Sequence, residues 1–318
     1  MRAFSLVALL GSCLAFSVHA ADAQDWLSRL AKSEGQSFHG SFVYERNGSF
    51  STHGIWHQVD ADGRVRERLL QLDGPAQEVV RVDGRPQCVS GGLADQLSSG
   101  RWSSHALVPE RLAERYELRI VGRSRVAGRE AVVLALMPRD QYRYALELHL
   151  DEESALPLKS LLVGEKGQLL ERFQFVDLDT ATSLSDGQLQ PGAACKALDS
   201  NVVTESEVPA WRAGWLPPGF QLQQAMLRRS PASAEQVAYL TFGDGLAAFS
   251  VFLEPLRGAK VEDVRSQLGP TAVVSRRMTT IDGDVMVTVV GEIPPGTAER
   301  VALSMQAVQP VSEGAVVQ

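Results

Sequence analysis

The chain has little that would place it among membrane proteins, nucleic-acid binders or enzymes. Its leading apolar run, Phe4 to Leu10, is too short to span a bilayer as an anchor. Positive charge is in the minority: 31 Lys and Arg face 38 Asp and Glu, a formal net charge of −7. That balance argues against nucleic acid as a partner. Catalytic signatures are missing too: there is no Gly-x-Ser-x-Gly elbow, His-Glu-x-x-His, Cys-x-x-Cys or phosphate-binding Gly-x-x-x-x-Gly-Lys. No enzyme activity and no cofactor are therefore expected. Cysteine is scarce, with three in 318 residues. Cys13 lies in the leader, which leaves Cys88 and Cys195. In an oxidising compartment such a pair suggests one disulfide, while two buried free thiols fit the sequence equally well.

The first residues have the form of an export signal. Met1-Arg2 supplies a short positive region, Phe4 to Leu10 an apolar core, and Val18-His-Ala-Ala21 and Ala21-Asp-Ala23 small-x-small cleavage sites. Leu10-Gly-Ser-Cys13 loosely resembles a lipidation box, but the apolar segment continues past it. Residues 1–21 are expected to leave as a signal peptide, with cleavage between 20 and 23, giving an exported chain.

What is present begins with a β-meander from Phe38 to Val89. Asn47-Gly48, Asp62-Gly63, Asp73-Gly74 and Asp83-Gly84 punctuate it, and such pairs tolerate the positive φ of tight hairpins. Phe38, Gly40, Phe42 and Tyr44 alternate onto one face, and Phe50, Thr52, Gly54 and Trp56 read as its continuation. Arg64, Arg66 and Arg68 share a face that looks outward. Further strands are expected at 117–126, 130–137, 142–150, 156–164 and 168–177, with helices at Gln24–Lys32 and Pro109–Tyr116. The first helix is expected to cover the meander's concave face. Nine or ten strands with few helices imply an open barrel or strongly curved sheet plugged by short helices, over residues 24–180.

Periodicity is lost between 181 and 209, a linker by composition, and Ser90 to Ser104 reads as a Gly- and Ser-rich loop. Residues 210–318 read as a smaller α+β domain. Its strands are expected at 220–229, 236–242, 247–254, 271–278 and 284–290. Helices are expected at Lys260–Leu268 and Ala298–Ala307, the latter packed through Val301, Leu303 and Met305. Gly243-Asp-Gly245-Leu-Ala-Ala248 fits a dinucleotide fingerprint on paper, but a strand follows where a helix is required, so it is a hairpin turn.

Candidate binding residues are few. His53 and His57 are four apart, which on a strand separates them by about 13 Å, too far for one metal ion. Phe42, Tyr44 and Trp56 serve as core or as the lining of a ligand cavity. Arg64, Arg66 and Arg68 serve as a solvated face or as a site for an anionic partner. Trp211, Trp215 and Phe220 lie beside the linker and are candidate anchors for a peptide partner, a packed core being their commoner fate.

Phe38-His-Gly-Ser-Phe-Val-Tyr44, Ile55-Trp-His57 and Arg66-Glu-Arg68-Leu-Leu-Gln-Leu-Asp-Gly74 together resemble the opening of the RseB/MucB family. Trp215-Leu-Pro-Pro-Gly-Phe220, Asp244-Gly-Leu246, Phe249-Ser-Val-Phe252 and Val289-Val-Gly-Glu-Ile-Pro294 extend the likeness into the second domain. The resemblance implies a mainly β fold with some α: a LolA/LolB-like half-open β-barrel with short helices, plus the smaller α+β domain. It implies a periplasmic negative regulator of the envelope-stress sigma-factor pathway. Such a protein binds the periplasmic region of a MucA/RseA-like membrane anti-sigma factor and shields it from site-1 proteolysis. A lipid or lipopolysaccharide fragment releases it, and in MucB-like members the output is restraint of alginate production. A periplasmic lipid or lipoprotein carrier of LolA/LolB type is the alternative, and a homo-oligomer stays open.

Overall fold

The computed structural model describes residues 15–33, 35–90, 107–197, 211–229, 236–259, 261–281 and 283–308. Most of the expected signal peptide, nearly all of the loop expected after Val89 and residues 198–209 of the expected linker lie outside them. Among the described residues, one sheet of eleven strands dominates the N-terminal part. Its meander comprises β1 (Phe38–Arg46), β2 (Ser49–Val59), β3 (Val65–Gln71), β4 (Glu78–Val82) and β5 (Arg85–Ser90). It continues through β6 (Tyr116–Val126), β7 (Arg129–Pro138), β8 (Ala145–Asp151), β9 (Pro157–Val163) and β10 (Leu169–Asp179), with β11 (Lys196–Ala197) on the far edge. The order is β11-β5-β4-β3-β2-β1-β10-β9-β8-β7-β6, with every recorded pairing antiparallel. The long-range β1–β10 pairing joins the meander to the later hairpins. β6 curls back to touch β10 without joining its ladder, so the sheet is curved and stays open.

Helix α1 (Ala15–Ser33) and helix α2 (Pro109–Arg115) fill the inner side of that curve. Leu27 and Leu30 of α1 and Leu112 of α2 pack with Tyr116, Leu118, Leu134, Leu136, Leu146 and Leu148. The i, i+3 spacing of Leu27 and Leu30 puts both on one stripe, and each buried leucine contributes about 1.5–3 kcal/mol. α1 therefore covers the β6–β9 half of the sheet and not the meander half, contrary to expectation. Arg29 fixes it there by donating to the Glu152 carbonyl at 2.9 Å in the β8–β9 turn.

The C-terminal part is a separate sheet domain. β13 (Gln221–Arg229), β14 (Gln236–Gly243), β15 (Ala248–Pro255), β16 (Val264–Leu268), β17 (Thr271–Thr280) and β18 (Gly283–Gly291) are ordered β13-β14-β15-β18-β17-β16. A short ladder pairs β12 (Trp211–Ala213) with β19 (Met305–Ala307). A further helix spans Pro295–Ser304 and packs on β17 and β18. A mainly β chain with a half-open sheet and a smaller α+β domain is thus the architecture observed. Two local expectations fail. Where a helix was expected at Lys260–Leu268, residues 264–268 form edge strand β16, because pairing with β17 overrides a weak helical pattern. The last helix begins earlier, at Pro295, so its buried face is Thr297, Ala298, Val301 and Ala302, and Leu303 is exposed.

Candidate functional site

The meander half of the inner face is aromatic and carries buried polar groups. Phe42, Tyr44, Phe173 and Phe175 are buried together, with Leu69 and Val79 beside them. The Phe42 and Phe173 ring centroids lie 4.6 Å apart. Into this cluster project His53 and His57. His53 is fully buried, stacks on Phe42 at 5.1 Å and meets Ser51 Oγ at 2.8 Å through Nε2, while its Nδ1 has no hydrogen-bond partner. Burial pushes its imidazole below the ordinary value, against the pull of Asp73. His57 stacks on Phe38 at 4.8 Å and meets Glu67 at 3.4 Å. Burial favours the neutral form of Glu67, but His57 and Arg81 outweigh it and hold the carboxyl below the usual range. Among the described residues no group of three or more His, Cys, Asp or Glu is placed to hold a metal ion.

Trp56 is not part of that face. The two-residue turn Asn47-Gly48 pairs Arg46 with Ser49, so even positions of β1 oppose odd positions of β2. Phe42 thereby faces His53, and Trp56 faces His39 on the outer side. There the Trp56 ring lies against Gly54, where an added Cβ would approach ring carbon Cη2 to 2.9 Å, and beneath the Arg68 guanidinium at 5.2 Å. Arg66 and Arg68 share this outer face, and both are matched by carboxylates. Arg66 pairs with Asp60 at 3.3 Å and Asp186 at 2.9 Å. Arg68 donates to Glu78 at 2.5 Å and to the Gln188 carbonyl at 3.1 Å. Arg64 sits exposed in the turn before β3. The arginines therefore bind the segment after β10, including the short helix α3 (Asp186–Leu189), onto the sheet. Cys88 and Cys195 are joined in a disulfide nearby, with Cα atoms 5.5 Å apart. Residues 181–197 of the expected linker are thus attached to the first sheet.

The second concentration of chemistry is the joint between the domains. The turn between β14 and β15 carries Asp244, whose Oδ1 accepts from the backbone N–H groups of Leu246 and Ala247. Its Oδ2 accepts from Arg143 at 2.5 Å and from Tyr116 Oη at 3.3 Å. Arg143 also donates to the Pro218 carbonyl and lies 5.1 Å over the Phe220 ring. Burial first, then Asp244, pushes the Tyr116 phenol well above its ordinary value. Tyr144 donates to the Ile293 carbonyl at 3.1 Å. Trp215 stands edge-on to Tyr142 at 5.1 Å, with Arg300 over its ring at 3.9 Å. Tyr116, Tyr144, Leu146, Leu162, Leu246, Ala247 and Glu292 line a small cleft between the domains. Of the three aromatics singled out as anchors, Trp215 belongs to this joint, and Phe220 is buried in the second-domain core with Arg143 over its ring. Trp211, in β12, packs half-buried on the second core.

The joint's charged members escape local sequence reading. Arg143 stands near the start of the strand expected at 142–150, and Asp244 in a hairpin turn whose only evident role is the turn itself. The signal that was present is the turn motif Gly243-Asp-Gly245 without the helix that a nucleotide site requires.

The chain, a half-open curved sheet followed by a separate smaller sheet domain, belongs to the MucB/RseB family, as matches to both of the family's domains show. The family's N-terminal domain matches residues 22–193 and its C-terminal domain residues 205–306. It is similar to the sigma factor AlgU regulatory protein MucB of Pseudomonas aeruginosa, with 62% identity over 309 residues, 96% of this chain and 98% of that protein. The sigma-E factor regulatory protein RseB of Escherichia coli K12 is 29% identical over 249 residues, 76% of this chain and 77% of that protein. The solved complex of Pseudomonas aeruginosa MucA and MucB superposes with a TM-score of 0.80 at 62% identity, covering 91% of this chain and all of that one.

Proposed function

We propose that this protein is a periplasmic negative regulator of an envelope-stress sigma factor. It binds the periplasmic region of a membrane anti-sigma factor, shields it from site-1 proteolysis, and lets go when a lipid or lipopolysaccharide fragment binds; the output is restraint of alginate production. The observation that carries this reading is the 62% identity, across both domains, to a MucB that has been solved together with the periplasmic part of MucA. The geometry supports a division of labour. The aromatic inner face around Phe42 and Tyr44 suits an acyl chain, and the second domain with the joint at Trp215 suits the protein partner. Trp56, Arg66 and Arg68, on the opposite face, are left out of the lipid site. No helix among the described residues is long and apolar enough to cross a membrane. A lipid or lipoprotein carrier would use the same inner face but leaves the second domain without a task. The test is affinity capture from solubilised envelope membranes with the mature chain as bait. The regulator reading predicts retention of an anti-sigma factor; retention of lipoproteins in its place would favour the carrier.

A further inference from the structure

We infer that Arg46 is a positioning residue that couples the aromatic inner face of the first sheet to the second domain. Tyr44 is buried in the inner aromatic cluster, and its hydroxyl donates to Glu171 Oε2 at 2.5 Å. Glu171 is itself buried, with only 5% of its side chain exposed, and the same oxygen lies 4.0 Å from Arg46 Nε. Arg46 Nη2 in turn donates across the joint, to Thr271 Oγ1 at the start of β17 and to Glu292 Oε1 at 3.4 Å just after β18. The turn between β16 and β17 comes down onto this arginine. Gly269 has φ +58°, and a Cβ added there would stand 3.1 Å from Arg46 Cγ and 3.4 Å from the Leu170 carbonyl oxygen. The turn therefore rests on the stem of Arg46 while its guanidinium holds the following strand. One run of polar contacts leads from the inner face to two segments of the second domain.

A buried carboxylate that loses one hydrogen-bond donor is less well compensated, at a cost in free energy. A ligand that displaces the Tyr44 hydroxyl removes a donor from Glu171. Glu171 then draws more strongly on Arg46, and Arg46 loosens its hold on Thr271 and Glu292. The use of this coupling rests on the proposed function, in which an amphiphile enters the inner face and a protein partner engages the joint.

Hydrogen–deuterium exchange on the full mature chain tests it, with wild type, Tyr44→Phe, Arg46→Met and the double variant. Tyr44→Phe keeps the ring and removes only the hydroxyl. The expected result is about tenfold faster exchange in residues 271–275 and 289–293, the scale set by losing a hydrogen bond to a charged group. In the Arg46→Met background the same substitution should add nothing, because the connection is already cut. No change in those segments, or an equal Tyr44→Phe effect with and without Arg46, overturns the inference. A further arm adds lauroyl lysophosphatidylglycerol below its micellar concentration, with binding read by intrinsic fluorescence. If it binds, it should speed the same segments in wild type and not in Arg46→Met; an equal response in both would also overturn the inference. Failure of the amphiphile to bind would count against the proposed function and leave the exchange comparison of the variants standing.

Discussion

Arg143 and Asp244 form an ion pair across the domain joint at 2.5 Å, with 0% and 1% of their side chains exposed. Neither charge reaches water; Asp244 takes its counter-ion from the other domain, while Arg143 also has Asp140 in its own. Removing one partner from such a pair costs about 3–5 kcal/mol, because the survivor is left charged and buried. Arg143→Met and Asp244→Ala should each lower the denaturation midpoint accordingly. The double variant should cost clearly less than the sum of the two. Additive losses in urea titration would show that the pair does not act as a unit. Asp140, at 3.1 Å from Arg143, moderates the Asp244 substitution.

The disulfide and the outer arginines hold the same segment to the sheet. Cys88 and Cys195 close a loop across 107 positions. Replacing both by Ser should cost about 2–4 kcal/mol, chiefly by freeing the unfolded chain. Exchange should rise around Gly192, whose N–H donates to Glu78 at 3.0 Å, more than in β7 or β8. Uniform loosening across the sheet would contradict the local clamp.

How much of this the residues announced varies with range. The Asn47-Gly48 hairpin was legible, and so were the strands on either side. With a two-residue loop the parity of the pairing is already determined, and it puts Trp56 opposite His39. Continuing the even-numbered pattern of β1 into β2 misplaces Trp56 for that reason alone. In the second domain β15 followed period-2 alternation closely. Edge strand β16 did not, because all five of its residues are exposed and no apolar face repeats. Arg143 lay beyond local reasoning: apart from its neighbour Asp140, its partners Asp244 and Pro218 reach it only through tertiary folding.

Phe42 and Trp56 should respond differently to truncation. Phe42 is 2% exposed between His53, Phe173 and Phe175, so Phe42→Ala should cost about 3–5 kcal/mol. Half-buried Trp56, which covers Gly54 from outside, should cost about 1–2 kcal/mol as Ala. Chemical denaturation of both variants checks the order. A larger loss at Trp56 would mean that the outer face is packed more tightly than the geometry allows.

His53 makes stability depend on pH in a predictable direction. Burial lowers its folded-state value below the ordinary 6.5. The unfolded chain then binds more protons, so this contribution is complete above about 6.5 and is lost as pH falls through the folded-state value. Urea midpoints should drop between pH 7.5 and pH 5.5, and His53→Gln should flatten that drop. An unchanged slope in the variant would assign the dependence to other groups, such as His149, which burial also lowers.

In the proposed function one chain holds a protein partner and an amphiphile at the expense of each other. The direct measurement is calorimetric titration of the periplasmic segment of Pseudomonas aeruginosa MucA into the mature protein, with and without lauroyl lysophosphatidylglycerol, and then in the reverse order. The account predicts saturable binding of the segment that the amphiphile weakens about fivefold or more. The segment must weaken amphiphile binding by the same factor, since coupling between two sites is reciprocal. Absence of segment binding, or unchanged affinity in both orders, would contradict it.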